Sequence, residues 1–298
     1  MKKAFIQLHI AVFLAGFTGI LGRLISLNEG MIVWYRLLIT TLTMWILFGF
    51  AKKIHRIPLT VIFKIAATGF IAAMHWITFY GSIKYSNVSV ALICFSATGF
   101  FTSIFEPLIF RKKFDVAELF LGIMTLAGIY IIFHFDSRYK TGIIVGLISA
   151  LLGALFPVLN RQFLQRINVE TMLAWQQTGG LIWISCLLPF YLLWFPVEHF
   201  LPGLKDTMWL LVLSWLCSVV AFRFSSYALK RLSAFTVNLS FTLEPVYGIV
   251  LAFIVFNENK LLSKWFYIGF AIIAAAIILH VMLLLKQEQK SLTKTAHV

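Results

Sequence analysis

Ten runs of mostly apolar residues follow one another along the chain, each about as long as a helix that crosses the hydrocarbon core of a bilayer. They cover Ala4–Leu21, Met31–Phe50, Leu59–Ile83, Val88–Phe110, Val116–Phe133, Gly142–Leu159, Met172–Trp194, Met208–Ala228, Ala234–Phe256 and Trp265–Leu285. The links between them are short, so none holds a soluble domain and any functional site lies among the helices. Lipid satisfies no exposed backbone group, and the runs are too long and continuous for the alternating strands of a barrel. The predicted fold is therefore an all-α membrane protein with ten transmembrane helices. Composition agrees: 61% of residues are apolar or aromatic and 12% are charged, against about 25% charged in soluble domains. That excludes an ordinary soluble enzyme and a disordered chain.

A formal charge of +14 invites a nucleic-acid reading in a soluble protein. Here the cations are scattered through the links. With the N-terminus placed in the cytoplasm, cytoplasmic links carry Lys52, Lys53, Arg56, Arg111, Lys112, Lys113 and others, outnumbering the opposite side roughly two to one. The bias predicts both termini in the cytoplasm, and no basic face emerges to bind nucleic acid. Met1-Lys2-Lys3 before an apolar run resembles a secretory signal, but no small-residue cleavage site follows, so it reads as an uncleaved first helix. Cys94, Cys186 and Cys217 lie inside apolar runs with no metal or disulfide spacing.

The chain also repeats itself. A shift of 147 residues brings Tyr80 onto Tyr227, Lys84 onto Arg231, Ser86 onto Ser233, Val90 onto Val237, Gly122 onto Gly269 and Ala127 onto Ala274. This divides it into a first five-helix repeat (1–135), a short external connection (136–141), a second repeat (142–285) and a cytoplasmic tail (286–298). Five crossings are odd in number, so the second copy enters the membrane inverted. Inverted repeats are the architecture of secondary transporters, in which two halves alternate about a midplane site.

Several local patterns carry a family resemblance. The first helix reads Gly16-Phe17-Thr18-Gly19-Ile20-Leu21-Gly22-Arg23, and the second holds Trp34-Tyr35-Arg36. The ninth reads Leu243-Glu244-Pro245-Val246 and ends on Asn257-Glu258, with Ile268-Gly269 in the tenth. Together with the duplicated set of helices, these resemble the EamA-type branch of the drug/metabolite transporter superfamily over essentially the whole chain. The first repeat departs from the pattern: Arg111 stands where the second has Glu258, and Glu106-Pro107 falls late in the fourth helix. The resemblance implies an exporter or exchanger of small metabolites such as amino acids or related compounds. The expected location is the bacterial plasma (inner) membrane.

Ionisable groups at membrane depth are costly and mark pathways. Arg36 would hold a substrate carboxylate by its two-pronged guanidinium or form a structural ion pair. Glu244, before the helix-kinking Pro245, would meet a substrate amine, carry a proton, or pair with Arg223 or Arg36. Arg223 aligns with Trp76 under the shift, putting a cation and an aromatic at matching places beside His75. His75 titrates near neutral pH or serves as a hydrogen-bonded packing residue. Tyr80, Tyr227, Gln176 and Asn238 complete the candidate substrate site. Glu106, Pro107 and Glu258 are expected in gating or structure, Glu106 through an ion pair with Arg111. Lys64, Glu118 and His134 lie near helix ends, where snorkelling explains them. Gly146, Gly153, Gly179 and Gly180 suit close helix packing.

No HExxH, GxSxG, paired aspartate motif or Walker sequence is present, so neither catalysis nor ATP-driven pumping is expected and no cofactor is implied. A filter or pore repeat of the kind channels use is also missing. The expected partners are a small-molecule substrate and the bilayer, with a homodimer through the peripheral fifth and tenth helices as a further option.

Overall fold

The computed structural model describes residues 2–197, 199–229, 240–241 and 243–296, and all of its regular elements are helical. Twelve α-helices are numbered here: α1 Lys2–Leu24, α2 Glu29–Phe50, α3 Leu59–Tyr85, α4 Val88–Phe95, α5 Thr98–Phe110, α6 Val116–Phe135, α7 Lys140–Leu164, α8 Val169–Trp194, α9 Leu204–Ser214, α10 Ala221–Leu229, α11 Glu244–Phe256 and α12 Lys264–Ala296. Asn238 lies outside the described residues. Among those described, nine helical stretches are long and apolar enough to cross a membrane, with Glu244–Phe256 a shorter apolar helix. The protein is a multi-pass integral membrane protein.

Helix ends in such a bundle need partners, because lipid offers none. Asn28 accepts from the Met31 amide at 2.9 Å to start α2, and Asn87 accepts from Val90 at 2.8 Å to start α4. Asp115 does the same for α6 through Ala117 at 2.8 Å. Because the connections are short, successive spans run antiparallel. The ends of α1, α3 and α11 therefore share one face of the bundle with the start of α4. The ends of α5 and α7 lie on the other face, where the chain begins.

Two spans carry a turn at positions that correspond under the sequence repeat. The fourth breaks between α4 and α5, where Ser96 N donates to Ile93 O at 3.1 Å. In the ninth, Leu243 N donates to Ser240 O at 3.1 Å just before α11 begins. These two turns are 147 residues apart, the spacing of the sequence repeat. The eighth span carries a different irregularity, a π-helical turn at Trp215–Val220 between α9 and α10.

Packing pairs the helices reciprocally. α3 lies along α7, and α1 lies along α10; α7 meets α4 and α5, and α1 meets α11. The helices expected at the periphery, α6 and α12, pack on each other. Their crossing is close because Gly128 and Gly269 face one another: a Cβ on Gly128 would stand 2.7 Å from the Gly269 carbonyl oxygen. Gly179 and Gly180 similarly let α8 approach Ala66 and Gly69 of α3. Outward-facing side chains such as Phe120, Tyr130, Ile278 and Met282 form the apolar exterior.

The connection between α6 and α7 is held by Arg138, whose Nε and Nη2 donate to the two carboxylate oxygens of Asp136 at 2.9 Å each. This bond holds the Asp136 carboxyl below the ordinary carboxylate range. The folded value lies below the unfolded one, so the stabilisation is present above about pH 4 and is lost as pH falls through the depressed value. Arg138 is largely exposed, which limits the effect to about 1 kcal/mol or less. Asp136→Asn is expected to lower the Tm in detergent slightly at neutral pH and to leave it unchanged in acid, so that the acid limb of the thermal-unfolding profile flattens. Gly269→Val is expected to force α6 and α12 apart at a cost of about 1–3 kcal/mol, read as a lowered Tm.

Candidate functional site

α2 carries Arg36 into the interior, where the residue is 3% exposed. A desolvated guanidinium needs its donors satisfied and its charge compensated, and two neighbouring spans, the third and the eighth, supply polar or aromatic groups. Its Nε donates to Ser218 Oγ at 2.9 Å and its Nη1 to Tyr80 Oη at 2.8 Å. Its carbon centre lies 4.2 Å from the Trp76 ring centroid, so the indole face supplies partial negative potential. Ser214 Oγ donates to the Arg36 carbonyl oxygen at 3.4 Å. Among the described residues no carboxylate forms an ion pair with Arg36. Glu244 lies within Coulombic reach of it from the start of α11, without such a contact.

Local structure explains this arrangement. The π-helical turn at Trp215–Val220 widens the eighth span by one residue per turn and puts Ser218 and Cys217 beside the guanidinium. Tyr80 is fully buried, and its ring occupies the space left by Gly22 of α1: a Cβ there would stand 2.6 Å from Tyr80 Cε1. Gly22 therefore sets the position of the hydroxyl that Arg36 uses.

The other sequence-predicted residues distribute around this centre. His75 lies one residue before Trp76, with its Nδ1 at 2.9 Å from both Ser149 O and Ser149 Oγ. Its ring sits among Phe79, Phe95 and Phe156. Gln176 belongs to a separate buried network, donating to Asn160 Oδ1 at 3.0 Å and Thr68 Oγ1 at 3.3 Å. Arg223 and Tyr227 are apart from Arg36. With Lys3, Gln7 and Phe224 they line a cavity of about 280 Å³ towards the face where the chain begins. Pro245 is buried in the first turn of α11, where a missing amide costs nothing.

Glu106 and Glu258 take up ion pairs near opposite ends of the bundle. Glu106 meets Arg161 at 2.6 Å and Lys112 at 2.9 Å, in place of the expected Arg111. Arg111 adopts a left-handed conformation (φ 52°) that ends α5 and turns the chain away. Glu258 is fully buried and pairs with Arg23, a cation expected in a link. Ser214, Ser218 and Ser89 are residues the sequence reading did not single out, and Gly22 and Arg23 entered it only within the family pattern of the first helix. The four-residue spacing of Ser214 and Ser218 inside an apolar run was the available signal.

Tyr80→Phe keeps the ring and removes the acceptor. It is expected to cost about 1–3 kcal/mol, the penalty for stranding a buried charged donor, read as a lower Tm in detergent. Gly22→Ala is expected to lower Tm in the same direction by displacing Tyr80.

Comparison with known proteins places the chain. An uncharacterized transporter of Haemophilus influenzae is 24% identical over 242 residues, covering 76% of this chain and 75% of that protein. An uncharacterized transporter of Archaeoglobus fulgidus is 25% identical over 185 residues, covering 60% and 62% respectively. A solved crystal structure shares the fold with a TM-score of 0.65 at 16% identity, over 95% of this chain and 98% of that one. The model of the EamA-like transporter family matches twice, at residues 2–134 and 140–280. The chain belongs to the EamA-like transporter family.

Proposed function

We propose that the protein is a secondary transporter that moves small organic metabolites by alternating access, with Arg36 as the anchor for a substrate carboxylate. The observation that carries this reading is the Arg36 guanidinium itself. It is buried among membrane-spanning helices, oriented by Ser218 and Tyr80, and without an ion-paired carboxylate among the described residues. A guanidinium so held retains spare donors in a planar fork, which suits a carboxylate. Glu244, within Coulombic reach, suits the ammonium of the same substrate and supports amino acids or related compounds as the class.

Two inverted five-helix repeats are the architecture this mechanism uses. The two family-model matches, the reciprocal packing of α1 and α7, and the turns 147 residues apart in the fourth and ninth spans support it. Discontinuous spans are where transporters of this kind place their substrate. Both termini then lie on the cytoplasmic side, by the excess of Lys and Arg in the links of that face.

The test is uptake and counterflow of labelled amino acids and other small metabolites into proteoliposomes, with and without a pH gradient. Saturable flux of a carboxylate-bearing compound is expected. Arg36→Ala is expected to raise its half-saturation concentration about 10- to 100-fold, the equivalent of losing one charge-assisted contact, and Arg36→Lys by less. Equal flux in wild type and Arg36→Ala would remove Arg36 from the pathway.

A further inference from the structure

Arg23 and Arg161 occupy the same place in two helices that begin the two family-model matches. The sequence Ile20-Leu21-Gly22-Arg23 near the end of α1 parallels Val158-Leu159-Asn160-Arg161 near the end of α7. Each arginine then does the same thing on its own face of the bundle. The Arg23 guanidinium lies 4.4 Å from the ring of Phe256, the last residue of α11, and pairs with Glu258. The Arg161 guanidinium lies 5.3 Å from the ring of Phe110, the last residue of α5, and pairs with Glu106 at 2.6 Å. Both phenylalanines are followed by a residue in the left-handed conformation, Asn257 and Arg111, each at φ 52°. In both cases the arginine comes from one matched segment and the Phe–Glu pair from the other.

The two sites differ in their water. Glu258 is fully buried and saturated: besides Arg23 it accepts from Val88 N at 3.0 Å, Ser89 N at 2.8 Å and Ser89 Oγ at 2.6 Å, so its carboxylate also caps α4. One carboxylate thus ties α1, α4 and α11 together. The Glu106 side chain is 30% exposed and the Arg161 side chain 52% exposed, and Lys112 shares the carboxylate. The Arg23 side chain is itself 35% exposed, so the contrast lies in the carboxylates: one with every oxygen lone pair engaged inside the fold is held more firmly than one open at the rim.

We infer that these are two equivalent arginine latches, one per membrane face, that close the two ends of the substrate path in turn. Both latches are engaged in this conformation, and the solvated Arg161–Phe110–Glu106 latch is the one that releases first. The inference rests on the alternating-access reading, but its test does not depend on knowing the substrate.

Cys217 lies beside Arg36 and Thr18 in the interior and is 4% exposed, so it reports whether the path to the centre is open. In a chain carrying Cys94→Ala and Cys186→Ala, Cys217 is labelled from each side of oriented vesicles with a small membrane-impermeant thiol reagent. Sidedness is assigned by an N-terminal tag. Arg23→Ala is expected to raise labelling from the face opposite the N-terminus about tenfold and to leave the other face unchanged. Arg161→Ala is expected to raise labelling only from the N-terminal face. Glu258→Gln should act as Arg23→Ala does. Because it also weakens the α4 cap and risks unfolding, Arg23→Ala, which leaves that cap in place, decides the matter, with Arg23→Lys restoring partial protection. Labelling unchanged by Arg23→Ala, or raised equally from both faces, overturns the latch assignment. Sided labelling in a protein that carries no metabolite flux supports the latches and faults the substrate reading instead.

Discussion

A single desolvated cation organises the interior of this bundle. Burying a guanidinium among membrane-spanning helices costs several kcal/mol unless its donors and charge are met, and Arg36 meets that requirement with neutral groups from other spans. Ser218 reaches it only because the eighth span opens into a π-helical turn. Tyr80 reaches it only because Gly22 leaves room for the ring. The cation therefore fixes the relative placement of α1, α2, α3 and the eighth span. It does so with dipoles and an aromatic face, which compensate the charge partly and leave the fork able to accept an anion.

The spans were legible in the sequence because the bilayer imposes a length on apolar runs, and each of the nine long helical stretches overlaps a run read from composition alone. Arg36 was legible for the same reason, as a charge standing where charge is expensive. Its supporting residues were not. Serine, glycine and tyrosine in an apolar run are ordinary, and what distinguishes Ser218 and Gly22 is a backbone irregularity and a close approach that no local pattern encodes. The helix break at Ser96 was similarly silent, with no proline or glycine at that residue, whereas Pro245 marked the ninth span for the turn that ends at Leu243.

Charges at helix ends were misjudged in one consistent direction. Arg23 sits where a link residue is cheap to hydrate, so its ion pair with a fully buried glutamate left no trace in the sequence. Glu106 was matched with the nearest cation in the chain, Arg111, while the left-handed turn there hands the carboxylate to Arg161, which is distant in sequence. Sequence proximity predicts partners within a helix and fails at its end, where the chain changes direction.

The π-helical turn at Trp215–Val220 also bears on how chains of this kind diverge. It holds one more residue than an α-helix of the same rise requires. Removing one residue there would restore a regular helix and leave the span long enough to cross the bilayer. The turns on either side would keep their faces, because the bulge itself absorbs the extra residue, and the change would fall on Cys217 and Ser218 beside Arg36. A one-residue difference in length in this segment would thus be silent for folding while replacing the lining of the central site, so relatives of equal fold and unequal spacing here should differ in what they carry.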